Sequence, residues 1–228
     1  PDVYMDKIAV GPGYPAGVVD LLGVLAYGEL SAFGRLAEDA RLAPTLHLTG
    51  ELSRMAAREL EHHDLLVERL RELGQDPEVV MNRFVPGFEA FHQRTRPATW
   101  LEGLVKAYVG DGIALDFYGE AARFVDDRTR EVIERARADD GKTDLIVDTV
   151  RGAVAVDPRV GGRLALWARR LVGEALSQGQ RVAAEHDSLV ELLVGGGRDG
   201  VDLGGLGAMF TRLTDAHTER LSRLGLSS

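Results

Sequence analysis

Glu59 and His62, in the segment ARELEHHDLLVERL, are spaced so that an α-helix brings both side chains to one face, where they could hold one metal ion. At ~100° per residue, Glu59 lies in the middle of a stripe formed by Leu48, Leu52, Met55, Leu66 and Leu70. His62 and His63 fall on the two edges of that stripe, and Glu61 points the opposite way. A carboxylate turned into apolar surroundings costs several kcal/mol unless something pairs with it. Glu59 therefore needs a partner.

Other segments repeat the pattern. Glu29 is centred among Leu22, Leu25, Ala32, Phe33 and Leu36, while Asp20, Glu38 and Asp39 lie off that stripe or at its edge. Asp111 sits with Leu104, Tyr108, Leu115 and Ala122, whereas Asp116 and Glu120 turn outward. Glu174 borders the stripe of Leu164, Trp167, Leu171, Ala175 and Val182, with Gln178 one turn on. Carboxylates that repel one another cannot share a dry core unprotonated, but a divalent or trivalent cation neutralises them. Oxygen donors with an imidazole suit iron or manganese and do not exclude zinc. Simpler roles stand beside this one. Asp111 could bond backbone or a tyrosine, and Glu174 could pair with Arg163, Arg170 or Arg181. His63 is expected to support a ligand or pack in the core, and His47, His92, His186 and His217 to lie on the surface or in loops.

These groups must be positioned by helices, because helical periodicity dominates the chain. The first long helix is expected between Pro15 and Pro44, and the second from Thr45 to Gly74, a glycine placed to end it. A proline- and aromatic-bearing loop, DPEVVMNRFVPGFEAFHQRTRP, follows. Thr99 and Glu102 form a capping box that opens a helix to about Val125. Shorter helices are expected at Arg128–Ala138 and Thr143–Val156. Asp157 as N-cap with Pro158 at the first turn opens a long helix that ends by Gly195. A last amphipathic helix closes the chain at Gly225. Its Leu206, Met209, Phe210 and Leu213 share a face that would cap the bundle or join two chains as a homodimer. No strand or internal repeat is found. The expected fold is all-α: a single domain over 1–228, with a four-helix bundle at about 16–194 and an accessory helix at about 205–225.

A chain of 228 residues buries roughly 70–75% of its unfolded surface and needs no staples. With no cysteine, disulfides, thiolate metal sites and iron–sulfur modules are excluded. The net charge of −9 disfavours non-specific nucleic-acid binding, although a local basic patch is compatible with it. No apolar run approaching the ~20 residues of a membrane span is apparent, and PDVYMDKIAVGPG lacks the order of a signal peptide. The expectation is a cytoplasmic protein without a membrane role.

On "AYGELSAF", which carries Glu29, and "ELEH", which carries Glu59 and His62, the chain resembles the ferritin-like diiron-carboxylate superfamily. The second half departs from that pattern. Asp111 stands where a glutamate is usual, and in "GEALSQGQ" Ser177 takes the place of the second histidine, with Gln178 the nearest polar substitute. The motifs "AYVGDG", "GRLALWARRLVGEAL" and "ELEHHD" are most similar to actinobacterial proteins grouped with the tRNA hydroxylases that oxidise methylthio-isopentenyl-adenosine, over about Val18 to Leu193.

The resemblance implies an oxygenase in which Glu29, Glu59, His62, Asp111, Glu174 and Gln178 hold iron, two ions or one. It also implies an external electron donor, since the chain has neither a cysteine cluster nor a dinucleotide fingerprint. Tyr27, Phe33, Tyr108 and Trp167 would line an apolar pocket. Arg94, Arg96, Arg151, Arg159, Arg163, Arg169 and Arg170 would meet a tRNA. The alternatives are a bundle whose ion site is vestigial and, less well matched, iron storage.

Overall fold

Side-chain caps set most helix starts. In the computed structural model, which describes residues 15–137, 143–194 and 203–226, α1 spans Ala16–Leu42 and α2 spans Leu46–Glu72. Pro44 and the Thr45 hydroxyl, which accepts from Leu48 N at 3.2 Å, turn the chain between them. Gly74, at φ +71°, closes α2 in the left-handed region. The segment read as a loop instead folds into two short helices, α3 (Pro77–Asn82) and α4 (Val85–Arg94). Asp76 caps α3 with Pro77 at its first position, a signal equal to the Asp157–Pro158 start recognised later in the chain.

Helix α5 (Trp100–Ala121) begins at the expected capping box, in which Thr99 accepts from Glu102 N and the Glu102 carboxylate accepts from Ala98 N at 2.6 Å. It ends in a 3₁₀ turn at Ala122–Phe124. Then come α6 (Asp127–Ala136), α7 (Thr143–Val156), α8 (Pro158–Glu185), α9 (Asp187–Val194) and α10 (Leu203–Arg223). The expected single helix after Pro158 is broken at His186, whose backbone leaves the helical region while its ring stacks on Phe84 at 4.5 Å.

The long helices α1, α2, α5 and α8 form the bundle, and the described residues contain no strand. Helix α1 packs on α2 and α5, and α5 packs on α8. Helix α4 lies between α1 and α8 and touches both. Met209 is buried, and α10 lies against α5 while Leu221, Leu224 and Leu226 enter the core, so this helix caps its own bundle. Leu206 and the Phe210 side chain lie outside the described residues. Helix α1 does have the length and hydropathy of a membrane-crossing helix, against the reading from sequence. Over half of its most apolar window is buried inside the protein, however, and it carries Asp20 and Glu29 among its buried residues.

Apolar packing falls into two clusters stacked along the bundle. One contains Leu22, Leu25, Ala26, Leu66, Leu70, Phe84, Tyr118 and Ile133. The other contains Leu36, Leu52, Ala56, Leu104, Val109, Trp167, Leu171 and Leu224. Along α1, α2 and α5 the chain passes from one cluster to the other at a polar seam. Phe84 holds α3, α4 and α9 to the first cluster and is 1% exposed. Phe84→Ala should cost about 3–5 kcal/mol, measured by urea unfolding; a loss below about 1 kcal/mol would show that this junction is not part of the core.

Candidate metal centre

The seam is where the sequence put its inward carboxylates. Glu29 lies between Ala26 of one cluster and Leu36 of the other, and Glu59 and His62 lie between Ala56 and Leu66. One ligand atom from each of Glu29, Glu59 and His62 falls within 4.8 Å of the other two, the one such group of His and acidic side chains among the described residues. His62 Nδ1 is 3.7 Å from Glu29 Oε2. The i, i+3 spacing on α2 therefore meets a carboxylate from α1, as the sequence indicated.

Electrostatics shows how strained the arrangement is for bare carboxylates. Burial, with the negative charge of Asp111 adding to it, pushes Glu29 up to about 7, against hydrogen bonds from Glu59 and Tyr118. Burial also raises Glu59, to about 9, and the hydrogen bond and charge of Glu29 add to the rise. The two carboxyls thus share a proton at neutral pH, with Glu59 donating to Glu29. The Tyr118 hydroxyl, fully buried, hydrogen-bonds Glu29 and is held well above the usual phenol range by burial and by that charge. A cation at this point would replace the shared proton, and the donor set of two carboxylates and an imidazole fits iron or manganese.

Asp111 reaches the centre electrostatically, since its charge acts on both Glu29 and Tyr118. Tyr118 went unrecognised in the sequence, although it lies two helical turns beyond Asp111 on the same face of α5. His63 is not part of this converging group; its Nδ1–H donates to the Ala26 carbonyl at 2.8 Å and ties α2 to α1.

The α8 residues are placed otherwise. Glu174 turns to Arg94 on α4, 3.6 Å away. Gln178 is 6% exposed, and neither amide atom has a hydrogen-bond partner among the described residues. Ser177 is exposed, so it does not occupy a histidine's position in the seam. Helix α4 packs beside this part of α1: Phe88 meets Tyr27 edge-on at 5.1 Å, and a Cβ at Gly28 would lie 3.4 Å from the Tyr118 hydroxyl and 3.5 Å from Phe88. This wedge stands between α1 and α8.

Of the histidines expected on the surface or in loops, His186 lies in the connection between α8 and α9 and packs on Phe84, and His92 lies within α4 and makes a tertiary contact. His92 hydrogen-bonds Ser31 at 2.6 Å, and burial beside Lys106 and Arg35 lowers it to about 3, so it is neutral. Of the residues expected to line a pocket, Tyr108 and Trp167 belong to the second cluster and Phe33 packs against it, whereas Tyr27 meets Phe88.

The model of a family described as "Ferritin-like domain, actinomycetes" matches residues 12–196, and the chain belongs to that family. No curated protein matches it in sequence. Among solved structures, a Synechococcus protein with aldehyde deformylating oxidase activity superposes with a TM-score of 0.72 at 19% identity. The match covers 95% of this chain and 93% of that one. At this identity the likeness shows the fold.

The shared proton has a pH signature in metal-free protein. An acid raised on folding binds a proton that the unfolded chain releases, so its stability contribution is full below the ordinary 4.5 and is lost as pH climbs through the raised value. The chelated protein should lose melting temperature between pH 5 and 9, and Glu59→Gln should flatten that slope and exceed the parent at pH 8. Parallel curves for parent and variant in differential scanning calorimetry would refute the shared proton.

Proposed function

We propose that this ferritin-like protein is a metal-dependent oxidase or oxygenase whose Glu29, Glu59 and His62 hold iron, with Asp111 the nearest further carboxylate. The observation that carries the reading is the convergence of three donor atoms within 4.8 Å in a buried seam, where carboxyls without a cation must share a proton. Reduced iron bound there supplies electron-transfer chemistry toward dioxygen. The chain's own groups do the rest. His63 fixes α2 against α1, Tyr118 hydrogen-bonds the Glu29 carboxyl, and the two apolar clusters flank a seam in which Glu29 is buried and Glu59 and His62 are half-buried. One ion per chain, not two, fits a centre in which Glu29, Glu59 and His62 are the converging His and acidic donors among the described residues.

The finer reading, a cytoplasmic tRNA hydroxylase served by an external electron donor, is supported by the sequence resemblance of "ELEHHD" and "AYVGDG". The fold neighbour's activity offers aldehydes as the other substrate class. Incubation of the iron-loaded protein with reductant, dioxygen and each substrate separates them. The hydroxylase reading expects an anticodon stem-loop bearing methylthio-isopentenyl-adenosine to gain one oxygen atom by mass spectrometry. An unchanged RNA with a consumed aldehyde would select the second.

Anaerobic ferrous titration should give one tight step of one ion per chain. Glu59→Ala and His62→Ala should each lower affinity by about a hundredfold or more, whereas Glu174→Gln and Ser177→His should leave it unchanged. Substoichiometric binding in the parent would favour a vestigial site. Two equal tight steps would show that α8 supplies ligands after all.

A further inference from the structure

The outer face of α8 is strongly basic in an acidic protein. Arg159, Arg163, Arg170 and Arg181 project within about 40° of one another around the helix, and all are exposed. Arg169 is exposed on the same side. None of Arg159, Arg163, Arg169 and Arg181 has a carboxylate within ion-pair distance among the described residues, whereas arginines elsewhere on the surface, such as Arg54, Arg128 and Arg212, are paired. Between the arginines lie Leu166, 65% exposed, and Leu176, 52% exposed. Unpaired guanidinium groups around exposed leucines are not needed for the fold of α8, whose other side buries Leu164, Trp167, Ala168 and Leu171.

We propose that this face docks a small acidic protein of the electron-carrier class. The inference rests on the oxygenase reading for the choice of carrier, and on the charge pattern for the surface. Arginine around an apolar centre is the composition of protein interfaces. A site for unpaired bases would add exposed aromatic rings for stacking, and the one aromatic side chain of α8, Trp167, is buried and donates to the Glu102 carbonyl; an RNA bound through its phosphates alone is the competing outcome of the test below. Two copies of this chain cannot pair α8 on α8, because like charges would face each other. Complementarity therefore calls for an acidic patch on a different protein. Position favours the same partner: α8 packs directly on α5, which carries Asp111 and Tyr118. Each encounter delivers one electron to the site and releases the carrier oxidised, with no atom transferred.

The test uses the whole chain and a reduced plant-type [2Fe–2S] ferredoxin as the acidic probe, with binding followed by biolayer interferometry at 20 and 200 mM NaCl. Binding should weaken with salt. R163E/R169E and L166D should each lose at least about tenfold in affinity, while R71E, on the far helix α2, should bind like the parent. Glu59→Ala, which loses iron, should still bind the probe. Docking by a parent that fails to load iron would sustain this proposal and overturn the metal reading. Absent binding, or equal binding by the parent and both α8 variants, would overturn the proposal. So would an anticodon-type RNA hairpin, or a second copy of the chain seen by light scattering, that depends on Arg163 and Arg169 when the ferredoxin does not bind.

Discussion

Two carboxyls pressed together inside a helical bundle are the constraint around which this protein is built. Glu29 and Glu59 come from α1 and α2, the most extensively packed helices of the chain, and apolar clusters above and below them hold the helices in register. Glu29 is buried and Glu59 half-buried between these clusters. The protein must therefore neutralise them, by a shared proton or by a cation. Leucine at both places would pack with less penalty, so the pair is a cost to folding that a bound ion can offset.

The wedge α4 decides how far the centre extends. In α8, Glu174 and Gln178 follow Leu171 and precede Val182, the level at which α1, α2 and α5 carry their polar groups. Phe88 packs against Tyr27 and Gly28 of α1, and Arg94 of α4 lies 3.6 Å from the Glu174 carboxylate. The result is a three-donor centre on one side of the bundle, and a face of α8 free to carry charge outward. An ion pair that is half exposed adds little to stability.

Much of this was legible in the residues. Caps at Thr45, Thr99 and Asp157 and the glycine at 74 mark helix ends because their chemistry is local. Glu29, Glu59 and His62 were legible because each stands mid-helix on an apolar stripe. The contributions of α8 were not. Helical periodicity tells that Gln178 faces inward and Ser177 outward, but not that α4 occupies the space between α8 and α1. That depends on two short helices whose length gives no periodic signal, although the Asp76–Pro77 start was visible. Tyr118 was passed over because a tyrosine on an apolar stripe reads as core; only its hydroxyl beside Glu29 makes it part of the centre.

The most direct measurement is an anomalous difference map, recorded at the iron edge from crystals loaded with ferrous iron under anaerobic conditions. The account predicts one peak among the Glu29 and Glu59 carboxylates and the His62 ring, with Glu174 still against Arg94. A peak elsewhere, or none there while the Glu29–Glu59 hydrogen bond persists, would contradict it.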